Sequence, residues 1–276
     1  TRKHVTVALS GDGADEMFGG YQKHRAEWLI RNKPGLAPLL KIAAAVLPSK
    51  FSSRESFIKN RIRQLHRFTE GISLSSKERY LRWCSISNSA YLKELILKPI
   101  DNTIENRNQH LSASVKQQKS MNDVLLSDMK LVLTGDMLRK VDSMSMANSL
   151  EVRSPFLDYR VVDFAFSLTD KYKIDNKAQK KIVKDAFRSL LPEEIYHRGK
   201  RGFEVPLIKW FQTELKDKID LLLGEEMIQS QALFNPNTIK QLRHAVMNNP
   251  SGESQAKMWA LIVFQNWWLT HHLKSN

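Results

Sequence analysis

The sequence predicts a mostly helical chain that begins inside an α/β unit, and three observations support that fold class. One strand-like run, His4–Leu9, is rich in β-branched residues and is followed by Gly11. Apolar residues then recur at helical spacing in Ala26–Ile30, Leu36–Leu47, Tyr80–Leu97, Val124–Leu133, Val161–Leu168, Ile182–Leu191 and Met258–Leu269. Because a single strand cannot form a sheet, we expect the other strands of the unit to precede Thr1.

Composition limits the class of protein. The 276 residues are 42% apolar, which suffices for one large domain or two smaller ones. The single cysteine, Cys84, excludes an internal disulfide framework and a cysteine-cluster metal site. No run approaches the roughly 20 apolar residues of a membrane span. These observations predict a soluble, cytoplasmic protein without a membrane partner.

The charge is strongly positive. Lysine and arginine number 43 against 29 acidic residues, which gives a net charge of +14. Such a charge attracts nucleic acid, nucleotides or pyrophosphate, and it also fits the basic part of a larger protein with an acidic remainder. A nucleic-acid-binding module is the disfavoured reading, because the sequence contains no stacking pattern of aromatic residues and no recognisable reading helix.

The stretch LSGDGADEMFGGY (residues 9–21) places a glycine-containing turn between a strand and a helix. Open α/β sheets bind ligands at such carboxyl ends of strands. It is not a common dinucleotide loop, because Glu16 stands where the third glycine would be. Asp12 and Asp15 indicate either a Mg²⁺-phosphate site or a proton-transfer site. The alternative is that Asp12 shapes the turn while Asp15 and Glu16 favour the start of the helix.

Two later loops carry dense charge. Glu151 and Arg153, in LEVRSPFLD, are predicted to form a buried or half-buried ion-pair network, and the following proline favours extended backbone at Ser154. Arg198 and Lys200, in HRGKRGF, flank a glycine and suggest a lid over phosphate. A structural network and an ordinary surface turn are the respective alternatives.

The stretch NKAQKKIVKDAF (residues 176–187) is rich in lysine. The spacing of Lys177, Lys181 and Lys184 predicts one face of a helix, with Lys180 also about one turn after Lys177. A solvated helix surface is the ordinary explanation for such a pattern, and a phosphate-binding face is the functional one.

Four motifs in this order resemble the synthetase domain of the glutamine-dependent asparagine synthetase family. They are LSGDGADEMFGGY, KVDSMSMANSLEVRSPFLD, KAQKKIVKDAF and RGKRGFEVPLIKW. The resemblance runs from Val5 to Trp210 and continues more loosely to WALIVFQNWW. It implies that residues 1–276 are the C-terminal, largely helical part of an α/β nucleotide-binding domain of the pyrophosphate-loop (PP-loop) type, which is adenine nucleotide α-hydrolase-like. The family's first strands, pyrophosphate loop and glutaminase domain are absent from the sequence.

The resemblance also implies an activity. Members use ATP and Mg²⁺ to adenylate the side-chain carboxylate of aspartate, and ammonia released from glutamine then displaces AMP to give asparagine. The implied partners are aspartate, ATP, ammonia and the N-terminal glutaminase domain of the parent chain, and a homodimer is compatible with them.

Site residues follow from the same resemblance. Ser10 and Gly11 would lie against the nucleotide, and Asp12 would occupy the acidic position linked to formation of the intermediate and deprotonation of ammonia. Asp15 would be the Mg²⁺-pyrophosphate carboxylate, and Lys180 would stabilise charge on the α-phosphate. A further group is assigned to the pyrophosphate and substrate loops: Lys177, Arg198, Lys200, Glu151 and Arg153.

Three departures from the family pattern matter. Well-known members carry glutamate where this chain has Asp12, residue 1 is Thr1 rather than the cysteine nucleophile of the glutaminase, and the Ser-Gly-Gly-x-Asp-Ser loop is missing. We therefore expect the isolated chain to be inactive. The alternative within the class is amidation or cyclisation of another carboxylate, such as a sugar acid or a peptide.

Overall fold

The computed structural model describes residues 1–46, 57–98, 110, 113, 115, 119–197 and 205–272. Over these residues the chain is mostly helical, as predicted. It divides into two compact units. The first contains residues 1–40, 70–84 and 106–200, and the second contains residues 41–69, 85–105 and 201–276.

The helices are numbered in chain order. They are α1 Ala14–Phe18, α2 Gln22–Asn32, α3 Leu36–Val46, α4 Phe57–Ile72, α5 Ser76–Cys84, α6 Ser89–Leu95, α7 Met121–Asp128, α8 Leu138–Met146, α9 Tyr159–Ser167, α10 Asp170–Lys173, α11 Lys181–Ala186, α12 Glu193–His197, α13 Leu207–Gln212, α14 Lys216–Leu222, α15 Glu225–Gln231, α16 Pro236–Asn248 and α17 Gly252–His271. A π-helical segment, Met129–Met137, joins α7 to α8, and a 3₁₀ turn spans Pro155–Leu157. None of the described helices is long and apolar enough to cross a membrane.

Two short parallel strands form the sheet of the first unit. β1 is Val7–Leu9, shorter than the predicted run, and β2 is Glu151–Arg153. In their register Val7 lies opposite Glu151 and Leu9 opposite Arg153. The prediction of a single strand was therefore incomplete, because β2 is too short for its alternation of exposed and half-buried residues to stand out in the sequence.

The predicted helical segments met different outcomes. The segment Leu36–Leu47 is confirmed by α3 as far as Val46, and Leu47 lies outside the described residues. The segment Tyr80–Leu97 is wrong as one helix, because α5 ends at Cys84 and α6 begins at Ser89. The Asn88 side chain accepts a hydrogen bond from the Tyr91 backbone N–H and caps the new helix. Asn88 therefore starts the second helix after a non-helical stretch of four residues.

Helix α1 is anchored in the core of the first unit. Met17 is fully buried and Phe18 is nearly so, and both pack with buried Ala165 of α9. The rings of Phe18 and Phe156 meet edge to face with centroids 6.2 Å apart. These contacts fix the short helix that follows β1 and therefore fix the direction of its polar side chains.

A buried carboxylate connects three helices of the same unit. Asp128, at the end of α7, accepts hydrogen bonds from His24 Nε2 on α2 at 2.8 Å and from the Tyr80 hydroxyl on α5 at 2.7 Å. Lys23 pairs with the same carboxylate. Burial by itself would raise the pKa of Asp128, but the His24 hydrogen bond and the charges of His24 and Lys23 outweigh it and lower the pKa to about 2.

The π-helical segment widens a continuous helical run between α7 and α8. At its end the Leu138 N–H donates to the carbonyl of Leu133, five residues back. Leu138, Val141 and Asp142 of α8 then line a cavity beside the ends of the two strands. The π segment thus determines which face of α8 turns toward that cavity.

The second unit is a helical assembly with its own apolar core. The core side chains come from α6 and from the helices after residue 206: Leu95, Phe211, Ile219, Leu222, Leu223, Ile228, Phe234, Ile239, Leu242, Val246, Met258, Leu261 and Ile262. The predicted helix Met258–Leu269 lies within α17 and is confirmed. The candidate site residues that the structure describes all belong to the first unit.

Candidate active site

A chain of hydroxyl groups joins the ends of the two strands to Asp12. The Ser10 hydroxyl donates to Asp12 Oδ2 at 2.7 Å and lies 2.9 Å from the Ser154 hydroxyl. Because the single proton of Ser10 goes to Asp12, Ser154 must be the donor to Ser10. The Ser10 backbone N–H continues the strand ladder by donating to the Arg153 carbonyl at 2.9 Å. The half-buried Asp12 carboxylate is therefore held at the carboxyl end of the sheet, where parallel sheets bind ligands.

The two glycines of the turn have different tasks. Gly13 has a φ of +91°, and a Cβ there would lie 2.4 Å from Leu157 Cδ2, so only glycine fits. Gly11 is exposed, and a Cβ added to it would meet nothing within 4 Å. The open space beside Gly11 leaves its backbone accessible to a ligand. A cavity of about 570 Å³ opens nearby, lined by Leu9, Ser154 and the Asp142 side chain of α8.

The two adjacent acids of α1 point to different environments. Glu16 is buried and accepts a hydrogen bond from the Tyr21 hydroxyl at 2.6 Å. Burial, followed by this hydrogen bond and the Glu16 charge, raises the pKa of Tyr21. Asp15 is partly exposed, and its Oδ1 lies 3.2 Å from Lys180 Nζ. Glu16 therefore serves the fold, whereas Asp15 faces a cation at the surface of the site.

Asp15 lies directly on the backbone of Gly20. A Cβ at Gly20 would come within 1.6 Å of Asp15 Oδ1, and the Gly20 N–H donates to the Asp15 carbonyl at 2.8 Å. Any side chain at position 20 would displace the carboxylate. The Asp15 carboxylate, which pairs with Lys180, thus packs directly against the Gly-Gly step after α1.

Lys180 has a strained backbone. Its φ of +54° and ψ of +39° are left-handed, a region that costs a non-glycine residue of order 1–2 kcal/mol. Its N–H donates to the Phe18 carbonyl at 3.2 Å, and its side chain remains about one-third exposed. Strain of this kind persists where the surroundings impose it, and it clusters at functional sites.

The lysine-rich stretch is not one helical face. Helix α11 begins at Lys181, and Lys177 precedes it in a tight turn in which Asp175 Oδ1 accepts the Lys177 and Ala178 backbone N–H groups, each at 2.7 Å. The prediction of a shared helix face for Lys177, Lys181 and Lys184 was therefore wrong. The left-handed backbone of Lys180 separates Lys177 from the helix that begins at Lys181, so these lysines do not share one helix face.

Glu151 and Arg153 do form an ion pair, with Arg153 Nε 2.7 Å from Glu151 Oε1. Both side chains are more than half exposed, so the predicted burial of the pair was wrong. They are two residues apart on β2 and therefore point to the same face of a two-stranded sheet. Arg198 and Lys200 lie outside the described residues.

Sequence reasoning missed two polar residues of the site, Ser154 and Gln179. The Gln179 side-chain amide donates to the carbonyls of Gly19 and Tyr21, at 2.7 and 2.8 Å. Ser154 stood in the sequence only as the extended residue before a proline, and its φ of −113° and ψ of 93° confirm that expectation. Its proximity to Ser10 depends on β2 pairing with β1, which the sequence did not predict.

The arrangement suits chemistry on a phosphate-bearing ligand. A lysine ammonium stabilises charge that develops on phosphate oxygens, and a half-buried carboxylate at the end of a sheet can accept a proton. Among the described residues, no group of three or more histidine, cysteine or acidic side chains could hold a metal ion by itself. A divalent cation here would need phosphate oxygens as additional ligands.

Comparisons with known proteins indicate the family of the chain. The family model described as asparagine synthase matches residues 1–269. Asparagine synthetase [glutamine-hydrolyzing] 1 of Bacillus subtilis strain 168 is 30% identical over 272 residues, covering 96% of this chain and 40% of the relative. A putative asparagine synthetase [glutamine-hydrolyzing] of Mycobacterium tuberculosis H37Rv is also 30% identical, over 96% of this chain and 39% of its own.

A more distant relative is amidase chry2 of Gibberella zeae, 19% identical over 90% of this chain and 39% of its own. The chain thus spans about two fifths of the length of these relatives. No solved structure matches the chain significantly.

Proposed function

Because this chain belongs to the asparagine synthase family, we propose that it carries the synthetase chemistry of an ATP-dependent asparagine synthetase. The reaction adenylates the side-chain carboxylate of aspartate and releases pyrophosphate. Ammonia then attacks the acyl carbon, and AMP leaves as asparagine forms. The observation that carries the proposal is the ion pair between Asp15 and Lys180, 3.2 Å long. The Asp15 carboxylate packs against the backbone of Gly20, and Lys180 has a strained, left-handed backbone.

Lys180 is the cation for the adenylating step. Negative charge develops on the α-phosphate when the aspartate carboxylate attacks it, and a positioned ammonium stabilises that charge. About a third of the Lys180 side chain is exposed, which leaves it accessible to a ligand. Catalysis of phosphoryl and nucleotidyl transfer depends mainly on such positioning, which gives the strained backbone a purpose.

Asp12 is the proton acceptor for the second step. Its Oδ2 is occupied by the Ser10 hydroxyl, and this contact orients the carboxylate. Attack by ammonia leaves a positively charged nitrogen that must lose a proton before the amide is neutral. Oδ1 of Asp12 would take that proton, and the Ser154–Ser10 hydroxyl chain would stabilise the carboxylate before transfer. The side chain is one methylene shorter than the glutamate of well-known members, so the ligand would lie correspondingly closer to the turn.

Mg²⁺ fits the site as an ion shared with the nucleotide. Asp15 offers hard carboxylate oxygens, and the absence of a larger ligand cluster among the described residues means that phosphate oxygens would complete the coordination. When bound, the ion would neutralise pyrophosphate as it leaves. Lys180 contacts the same carboxylate, so Asp15 would hold the lysine and the metal on one side of the phosphates.

The remaining assignments are extensions of the same proposal. Ser10 and Gly11 lie against the nucleotide, and Glu151 and Arg153 border the substrate cavity, where Arg153 is one of the lining residues. Lys177, with Arg198 and Lys200, closes over pyrophosphate. Ammonia comes from glutamine, hydrolysed by a glutaminase domain of the kind that the relatives' names imply. We place the enzyme in the cytoplasm.

The test is pyrophosphate release by the complete gene product that contains this chain. It is supplied with ATP, Mg²⁺, ammonium and a panel of carboxylates that includes aspartate. We expect aspartate-dependent release in the wild type, only a small residual rate in the Lys180→Ala variant, and retention in Lys184→Ala, which removes a lysine from the short helix that Lys180 precedes. Release at the wild-type rate in Lys180→Ala would overturn the catalytic assignment.

A second candidate is amidation of a different carboxylate. It is favoured by the match to amidase chry2 and, at 21% identity, to amidase chyE of Penicillium rubens. The same panel separates the two candidates. If aspartate gives no release while a sugar acid or a peptide carboxylate does, the adenylating chemistry stands and the acceptor changes.

A further inference from the structure

Gln179 and Lys180 are attached to the same backbone turn. Both N–H bonds of the Gln179 amide are used, one on the Gly19 carbonyl at 2.7 Å and one on the Tyr21 carbonyl at 2.8 Å. These two carbonyls flank Gly20, the residue on which the Asp15 carboxylate rests. The Gln179 side chain therefore holds the backbone on both sides of Gly20, against which the Asp15 carboxylate packs. The residue that follows Gln179 is Lys180, which pairs with Asp15.

The left-handed backbone of Lys180 requires an external restraint. A φ of +54° is unfavourable for lysine and persists only where neighbouring contacts fix it. The hydrogen bond from the Lys180 N–H to the Phe18 carbonyl is 3.2 Å long, longer than the two bonds made by Gln179. The Gln179 amide is thus the best-formed polar connection between the loop that bears Lys180 and the turn that bears Gly20.

Apolar contacts set the approach of this loop but not the direction of the lysine. Ile174 forms an isolated antiparallel bridge with Gln179. A Cβ added at Gly19 would lie only 2.3 Å from Ile174 Cδ1, so the side chain of Ile174 packs closely against this glycine. Ile174 itself is buried. An isoleucine contact tolerates sliding and rotation, whereas two hydrogen bonds from one planar amide fix both the distance and the angle.

We infer that Gln179 is a positioning residue for Lys180: its amide clamps the Gly19–Tyr21 turn and thereby aligns the Lys180 ammonium with Asp15. This inference rests on the proposed function for its effect on catalysis. It also makes a prediction about Lys180 alone that holds whatever reaction the protein performs.

The first measurement is lysine labelling of the complete gene product without substrates. A limited acetylating reagent is applied, and the extent of modification at each lysine is mapped by mass spectrometry. Gln179→Met keeps the side-chain length and removes both donors. We expect labelling of Lys180 to rise by about threefold, the change that release from an ion pair of modest strength allows. Labelling of Lys177, in the adjacent turn, should stay the same.

The second measurement is a double-mutant cycle on pyrophosphate release. Gln179→Met should lower kcat by about 10- to 100-fold, as misplacement of a catalytic group by about 1 Å can do. It should leave the KM for ATP nearly unchanged, because the lysine acts on charge that develops in the transition state. In a Lys180→Ala background the same change should alter the residual rate by less than about twofold, the scatter expected of a residue that acts only through its neighbour.

Two further variants keep the test sharp. Gln179→Glu preserves shape but offers acceptors to two carbonyls, so it should be at least as damaging as Gln179→Met and replaces it if that variant does not fold. Gln229→Met removes a glutamine bond to Glu225 in the second unit and should leave both readouts at wild-type values.

The outcomes are separable. Unchanged Lys180 labelling, or independent effects of Gln179 and Lys180 on kcat, would overturn the positioning role. If Lys180 labelling rises but the wild-type protein releases no pyrophosphate with any carboxylate, the proposed function fails and the alignment of Lys180 by Gln179 still stands.

Discussion

The backbone of Lys180 makes a prediction whose sign is unusual. At most helical or loop positions alanine stabilises a protein relative to glycine, but at Lys180 the order should reverse because φ is +54°. The perturbation is the pair of variants Lys180→Ala and Lys180→Gly. Both lose the partly exposed ion pair with Asp15, so that loss cancels in the comparison.

The magnitude follows from two opposing contributions. The left-handed conformation costs a residue with a Cβ about 1–2 kcal/mol, which Lys180→Ala retains and Lys180→Gly relieves. The greater freedom of glycine in the unfolded chain costs about 0.5–1 kcal/mol. We therefore expect the free energy of unfolding of Lys180→Gly to exceed that of Lys180→Ala by about 0.75 kcal/mol, the difference between the midpoints of these ranges.

Urea denaturation of the 276-residue chain, with linear extrapolation, measures the difference. The matched control is Lys184 within α11, where alanine should exceed glycine by about 1 kcal/mol. Both variants at Lys180 should retain only a small residual rate of pyrophosphate release in the complete protein, so the more stable one gains nothing in activity. If Lys180→Ala proved as stable as Lys180→Gly, the argument that strain is stored at this lysine would be refuted.

Three other perturbations probe the same unit. Gly20→Ala should displace the Asp15 carboxylate and lower the rate of pyrophosphate release by about 10-fold or more. The KM for Mg²⁺-ATP is the diagnostic measurement, and wild-type kinetics would contradict the close contact between Gly20 and Asp15. Lys173 is fully buried, and burial lowers its pKa to about 8. As the pH rises, the folded state loses this proton before the unfolded state does. The free energy of unfolding should therefore rise by about 3 kcal/mol, relative to Lys173→Met, between pH 8 and about 10.5. A flat difference between these two proteins across that range would count against it. Asp128 changes stability in the same direction at lower pH. With a folded pKa of about 2 it stabilises the unit above pH 4, and the wild type should lose about 2 kcal/mol relative to Asp128→Asn as the pH falls from 4 to 2 in acid denaturation. Parallel acid transitions would refute this account.

Helical content was predictable from periodicity, whereas breaks between helices depended on single side chains. The segment from Tyr80 to Leu97 keeps its apolar spacing through the break, and the N-cap at Asn88 marks where the second helix starts. The strand Glu151–Arg153 escaped prediction because three residues are too few for a period of two to be visible. Its pairing with β1 is a contact between distant parts of the chain, which local patterns do not encode.

The candidate site was predictable to different degrees. Asp15 and Lys180 were singled out by motif resemblance, and the structure brings them within 3.2 Å. Gln179 was invisible because an amide beside a lysine has no special pattern; its importance comes from carbonyls 158 and 160 residues away. Burial of the Glu151–Arg153 pair was overestimated, because charge density in a sequence does not say which face of a short strand meets solvent.

The π-helical segment Met129–Met137 sets the direction of the side chains that follow it in the longest described helical run of the first unit. Each residue of an α-helix advances the side-chain direction by about 100°, so a one-residue deletion in this segment would turn every later side chain by about that angle. Leu138 and Asp142 would then rotate away from the cavity beside Ser154, although neither residue had changed. Gly135 lies in this segment, and a Cβ added there would meet nothing within 4 Å. Which side chains line the cavity therefore depends partly on the number of residues that precede them. Natural variants that differ in length here would line the cavity with different side chains.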